Sequence, residues 1–254
     1  MDATQVYVSE FIGTAVLMAF GSSCNAGLLL KNTLISALKS NWIGLMFGWG
    51  FAVTFAVYTA VGLGGVGHLN PAITIAFAAG GLFPPELVVG TVIAQLLGGF
   101  LGAVITMLQY YPHFKITSPE EGNSVCIFAT GPAIDHRGWN LLSEIIATFL
   151  FIFCVLLLGP MANGLAPLII GFLVASIGFS FGGTTGFALN PARDFPSRMA
   201  YAILPVPNKG SANLGYAWVP IVGPIIGGFL AVGAFLWIRV FANCLLYTSP
   251  SPRD

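Results

Sequence analysis

Charge is what this chain has least of. Its 254 residues include nine Lys or Arg and nine Asp or Glu, so only 7% are charged, against roughly 25% in an ordinary soluble domain. The two signs cancel at pH 7 and no basic run occurs, so nucleic acid is not an expected partner. Catalytic groups are equally sparse. The histidines are His68, His113 and His136, and no Ser–His–Asp set, metal-ligand cluster or phosphate loop can be assembled around them. Neither an enzyme nor a bound metal or cofactor is therefore expected. Cys24, Cys126, Cys154 and Cys244 lack metal-ligand spacing, and Cys24 and Cys154 read as small hydrophobes inside apolar runs. No cleavable leader is expected either, since Met1–Glu10 holds no Lys or Arg.

What fills the chain instead is apolar. Hydrophobic residues make up 56% and mean hydropathy is +0.88, which leaves no room for a soluble reading. Stretches of roughly 20 apolar residues read as membrane-spanning helices. They fall at about residues 10–30, 42–62, 85–110, 141–158, 165–181 and 218–241, and the polar stretch 111–138 reads as one long surface loop. Between the spans, Asn70-Pro71-Ala72 and Asn190-Pro191-Ala192 each open a segment too short to cross a bilayer. Asn caps a helix and Pro is tolerated in its first turn, so each triplet predicts a helix start.

The halves echo one another. Ser9-Glu10-Phe11-Ile12-Gly13-Thr14 corresponds to Ser143-Glu144-Ile145-Ile146-Ala147-Thr148, and His68-Leu69-Asn70-Pro71-Ala72 to Ala188-Leu189-Asn190-Pro191-Ala192. Each half holds three spans, an odd number, so the second lies upside down relative to the first. Such an inverted repeat brings two broken helices together near the membrane midplane. Each N-terminus carries roughly half a positive charge, which disfavours cations and excess protons between them. Asn70 and Asn190 are expected both to cap their helices and to offer an amide N–H to an oxygen in transit. Gly98 and Gly102, like Gly223 and Gly227, lie four apart on one helical face and predict close helix packing.

This set of motifs resembles the aquaporin superfamily, the major intrinsic proteins. The resemblance runs from Ser9 to about Phe241 and includes both Asn-Pro-Ala boxes, Glu10, Glu144, Gln95 in Ala94-Gln95-Leu96-Leu97-Gly98, and the run Pro220-Ile-Val-Gly223-Pro224-Ile-Ile-Gly227. It implies an all-α membrane fold of six transmembrane helices and two re-entrant half-helices. It also implies one aquaporin-like channel domain over residues 1–243, with repeat one at about 6–110, a loop at 111–138 and repeat two at about 139–243. Cys244–Asp254 looks like translated sequencing-adapter read-through and is read as a non-native tail that replaces the natural C-terminus.

By motif alignment, the family's four-position selectivity filter falls on Trp49, Gly178, Phe187 and Arg193. Gly178 stands where water-selective members place a His, and Asp194 is a second mark of the glycerol facilitator branch. The resemblance therefore implies a passive channel for glycerol and other small neutral solutes, with water. A chiefly water-selective channel is the alternative that Gly178 and Asp194 argue against. An ion-coupled transporter would be expected to carry titratable groups at the midplane. In the facilitator reading, Trp49 and Phe187 form an apolar corner for a polyol's C–H edge, and the Arg193 guanidinium donates to two hydroxyls. Carbonyls of Val66, Gly67 and His68 and of Thr184, Thr185 and Gly186 are expected to line the path.

Glu10 and Glu144 read as scaffolds for the re-entrant loops rather than a proton relay, and His68 as a pore-lining structural residue rather than a pH sensor. Asp194 and Arg198 lie one turn apart and are expected to pair. Two departures stand out. The first box follows Val66-Gly67-His68 rather than Gly-Ala-His, and Pro196 lies one place earlier than the family's usual proline, which is expected to alter how the second short helix starts.

The family implies a homotetramer in the cell membrane with both termini cytoplasmic. Charge argues otherwise: that topology leaves Lys31, Lys39, Lys115, Arg137 and Lys209 outside and little beyond Arg239 inside, against the positive-inside tendency.

Overall fold

A computed structural model describes residues 1–37, 41–119, 124–159, 161–162 and 164–248, the side chains of 242–248 excepted. Lys39 and residues 249–254 of the expected tail lie outside this set. Among the described residues the chain is helical throughout, with no strand. The first half forms α1 (Ala3–Leu29), α2 (Leu34–Ala37), α3 (Trp42–Gly62), α4 (Pro71–Ala79) and α5 (Val88–Gln109). Then come α6 (Tyr111–Ile116) and α7 (Val125–Phe128). The second half forms α8 (Arg137–Leu157), α9 (Ala166–Thr185), α10 (Pro191–Ile203) and α11 (Val219–Thr248).

Six of these helical segments are long and apolar enough to cross a membrane: α1, α3, α5, α8, α9 and α11, taken with the short turns preceding α5 and α11. At 1.5 Å per residue, the 20 residues of α9 already reach about 30 Å, the thickness of a bilayer's hydrocarbon core. The nine residues of α4 and thirteen of α10 do not. The expected spans recur with shifted ends. The first starts earlier, at Ala3, where the Asp2 side chain accepts from Thr4 N at 3.1 Å. The fifth runs on to Thr185 and stops where Gly186 turns left-handed at φ 80°.

Symmetry governs the packing. α1 lies along α5 and α8 along α11, while α3 packs on α9 and on α1. A Cβ at Gly102 would come within 2.5 Å of Met18 Cβ and 2.7 Å of Ala15 O, and one at Gly98 would run into Phe11 O. Their counterparts behave alike: a Cβ at Gly223 would lie 2.6 Å from Glu144 Cβ, and one at Gly227 2.6 Å from Ile145 O. Backbone contact at these pairs replaces the hydrophobic drive that lipid removes.

The stretch 111–138 is not the expected surface loop. It contains α6 and α7, and Phe114, Ile127 and Phe128 are fully buried with Leu30 and Tyr201. Phe114 and Phe128 stack with ring centroids 5.9 Å apart. The segment is folded down onto the ends of α1 and α10, and it forms part of the site described next.

Candidate pore and selectivity constriction

Both half-helices begin in the same way. Asn70 and Asn190 adopt extended backbone and cap their own helices, Asn70 Oδ1 accepting from Ala72 N at 2.9 Å and Asn190 Oδ1 from Ala192 N at 2.8 Å. Each also reaches across to the other half. Asn70 Nδ2 donates to Leu189 O at 2.9 Å and Asn190 Nδ2 to Leu69 O at 2.7 Å. One amide N–H of each is consumed by this stitch, which leaves one apiece for a solute. The carbonyl acceptors are presented by Leu69 and Leu189, both held at positive φ, 52° and 56°, a conformation that costs a side-chain-bearing residue free energy.

Two buried carboxylates hold those strained loops. Glu10 accepts from His68 N at 2.7 Å, Leu69 N at 2.6 Å and Gln95 Nε2 at 2.7 Å. Glu144 accepts from Thr185 Oγ1 at 2.6 Å, Ala188 N at 3.0 Å and Leu189 N at 3.1 Å. Every one of these partners is a donor, which suits an acceptor-only carboxylate. Gln95 also donates to Thr74 Oγ1 at 2.9 Å, tying α5 to α4. His68 is packed edge-on against Phe77 and Phe83, with Nδ1 3.1 Å from the Thr74 hydroxyl.

With their N–H groups turned to the glutamates, the re-entrant loops border a cavity of about 240 Å³. Val66, Gly67, His68, Leu69 and Asn70 line it from one half, and Phe187, Ala188, Leu189 and Asn190 from the other; apolar side chains including Val57, Phe151 and Val174 complete the lining. Of the expected second group, Thr184 and Gly186 border another cavity and not this one. Thr184 and Thr185 belong to the last turn of α9, Thr184 O accepts from Ala133 N at 2.9 Å, and the Thr185 hydroxyl is engaged by Glu144. Gly186 serves as the helix cap, at the edge of a second cavity of about 520 Å³.

Trp49, Phe187 and Arg193 line both cavities and so mark the constriction between them. The Arg193 guanidinium sits 4.4 Å from the Trp49 ring centroid, a cation–π contact. Arg193 Nη1 reaches Phe128 O at 3.5 Å and Asp194 Oδ2 at 3.9 Å. Trp49 Nε1 donates to Asn25 Oδ1 at 3.1 Å, and Asn25 Nδ2 donates to Cys126 O at 2.9 Å. Gly178 borders neither cavity; it lies behind the constriction, where a Cβ would come 3.0 Å from Phe187 Cζ and collide with Met46 Sδ.

Asp194 and Arg198 are paired and fully buried, Arg198 Nε donating to Asp194 Oδ1 at 2.9 Å. The pair is tied to the 111–138 segment: Thr130 N donates to Asp194 Oδ2 at 2.7 Å and Arg198 Nη2 to Thr130 O at 2.6 Å. Thus the segment that reads as loop supplies, through Phe128 and Thr130, the frame around Arg193. Asn25, Met46 and Phe128 were not foreseen at the constriction. A polar Asn within an apolar run was the visible signal for the first. Among the described residues no group of three His, Cys, Asp or Glu could hold a metal, and Cys24, Cys126 and Cys154 are free and half-buried.

The sequence profile described as "Major intrinsic protein" matches residues 1–237. The chain belongs to the major intrinsic protein family. Among curated relatives, "Glycerol uptake facilitator protein 2" of Lactiplantibacillus plantarum is 53% identical over 228 residues, 89% of this chain and 96% of that protein. The "Glycerol uptake facilitator protein" of Bacillus subtilis is 49% identical over 221 residues, 86% of this chain and 79% of that protein. Among solved structures, the aquaglyceroporin from Plasmodium falciparum superposes with a TM-score of 0.82 at 26% identity, covering 96% of this chain and 100% of that one. This major intrinsic protein is therefore an integral, multi-pass membrane protein, and its six spans and paired half-helices are the family's inverted repeat.

Proposed function

We propose that this major intrinsic protein is a passive channel for glycerol and similar small neutral solutes, admitting water and excluding ions and protons. The observation that carries this reading is the three-sided constriction of Trp49, Phe187 and Arg193. Two aromatic faces accept a polyol's C–H edge, and the guanidinium beside them donates to its hydroxyls. Beyond it, the cavity is lined by the re-entrant loops and by apolar side chains such as Val57, Phe151 and Val174, which suits a solute with both hydroxyl and C–H edges. The facing half-helix N-termini and Arg193 oppose cations. The relatives named for glycerol uptake support the same cargo.

The test is light scattering from proteoliposomes under glycerol and sucrose gradients. Protein-dependent glycerol entry with sucrose excluded is expected; a rise in water flux alone would sink the claim. By the family's architecture the channel is a homotetramer in the cell membrane with both termini cytoplasmic. An N-terminal tag should then resist protease in sealed cells and be cut once they are permeabilised. Cutting in sealed cells would mean that the charge bias, with Lys31, Lys115, Arg137 and Lys209 at the other end, sets the insertion.

A further inference from the structure

The Phe187 ring is seated on the backbone of α9 across two glycines. A Cβ at Gly178 would lie 3.0 Å from its Cζ and 3.3 Å from its Cε1; one at Gly182 would lie 2.8 Å from its Cδ1 and 3.3 Å from its Cε1. Residues four apart share one face of a helix, so the two glycines form a continuous flat seat along the ring's edge. Trp42 closes the outer side. It meets Phe187 edge-on, centroids 6.4 Å apart at 77°, and its Cζ2 would lie 2.6 Å from a Cβ at Gly182. The ring's remaining side borders the cavities it shares with Trp49 and Arg193.

Phe187 has little freedom to relax by other routes. Its backbone stands at φ 42°, and the next residue, Ala188, is anchored through its N–H to Glu144 at 3.0 Å. Ordinary carbon contacts need about 3.5 Å, so any side chain at position 182 must displace the exposed Trp42 and also push the Phe187 ring off α9 and toward the opening. We propose that Gly182 is a specificity-determining position, which sets the width of the constriction by fixing how far Phe187 sits back. Gly182 itself borders the outer cavity, and its effect on the width is exerted through the ring, which the Phe187→Ala background separates from any direct contact with solute. This inference rests on the channel reading above, and the experiment separates the two.

Glycerol and water permeabilities are measured on proteoliposomes holding wild type, Gly182→Ala, Phe187→Ala, the double variant, and Gly233→Ala. The last is a control on α11, where an added Cβ meets nothing within 4 Å. Ala is the better helix former, so Gly182→Ala does not weaken α9 by propensity. Gly182→Ala is expected to cut glycerol permeability about tenfold, the discrimination that one methyl-sized change in a tight site supports, with water falling far less. In the Phe187→Ala background, which has no ring to displace, adding Gly182→Ala should leave both permeabilities where Phe187→Ala alone puts them. Gly233→Ala should match wild type.

Wild-type-like selectivity in Gly182→Ala, or the same loss with and without the Phe187 ring, would overturn the proposal. If wild type passes water but no glycerol, the cargo reading fails alone. The seat is then read from water: a fall in Gly182→Ala that vanishes without the ring sustains it, and no fall overturns it.

Discussion

Glu10 shows how much one side chain holds in place. Its carboxylate gathers two backbone N–H groups of a strained loop and the amide of Gln95, all within 2.7 Å. Glu10→Gln keeps the shape but turns an NH2 group toward donors, leaving a buried pair unsatisfied at about 1–3 kcal/mol. The expected outcome is a lower thermal unfolding midpoint in detergent, with no change in proton leak through proteoliposomes carrying an internal pH dye. A proton leak abolished by the substitution would instead support the relay role. The bonding of Glu10 and Glu144 to the re-entrant loops was legible in the sequence because they occupy matching places in the two halves. Gly178 was legible only in part. The resemblance places it in the filter in the position of a His, and the structure adds that its missing side chain gives room to Phe187 and Met46. Sequence position names the residue but not which neighbour fills the space.

Elements follow the same division between local and tertiary signals. The starts of α4 and α10 were readable, because an Asn cap followed by Pro is a local device. The end of α9 was not, since Gly182, Gly183, Thr184 and Thr185 are weak helix formers kept helical by their packing and by the Gly186 cap. Nor were α6 and α7, whose short lengths carry no periodicity and whose Phe114, Ile127 and Phe128 find their core only in the folded molecule. Pro196 is the instructive case. The start of α10 differs from that of α4 in that Asn190 Oδ1 accepts from Arg193 N as well as Ala192 N, and the proline also acts inside the helix, where its missing N–H frees the carbonyl of Ala192. Gly99 of α5 packs there: a Cβ would run into Ala192 O and lie 2.8 Å from Pro196 Cγ. Gly99→Ala should therefore displace α10 and cost about 1–3 kcal/mol through overpacking. Because Asn190 caps α10 and Arg193 lies in its first turn, glycerol and water fluxes should fall together, unlike the selective loss at Gly182. An unchanged unfolding midpoint with normal fluxes would show that α10 is not braced at this point.

At the scale of the molecule, the question is whether solute passes through a standing pore or is carried by a rocking of the two repeats. Inverted repeats serve both kinds of protein. Here the repeats are stitched at the midplane by two reciprocal hydrogen bonds, Asn70 to Leu189 and Asn190 to Leu69. α5 of the first half is wedged against α10 of the second, and α4 of the first against α11 of the second. Alternating access would have to break these contacts in every cycle and bury a freed carbonyl each time, at a cost that makes the rate climb steeply with temperature. A fixed path has no such step. Glycerol permeability should therefore be equal for influx and efflux under mirrored gradients, indifferent to ion gradients and ionophores, and weakly dependent on temperature. Stopped-flow scattering over a temperature series, with vesicles loaded or diluted to reverse the gradient, measures all three. A steep temperature dependence or a requirement for an ion gradient would mean that the midplane stitches open during transport, and the half-helices would then be gates rather than walls.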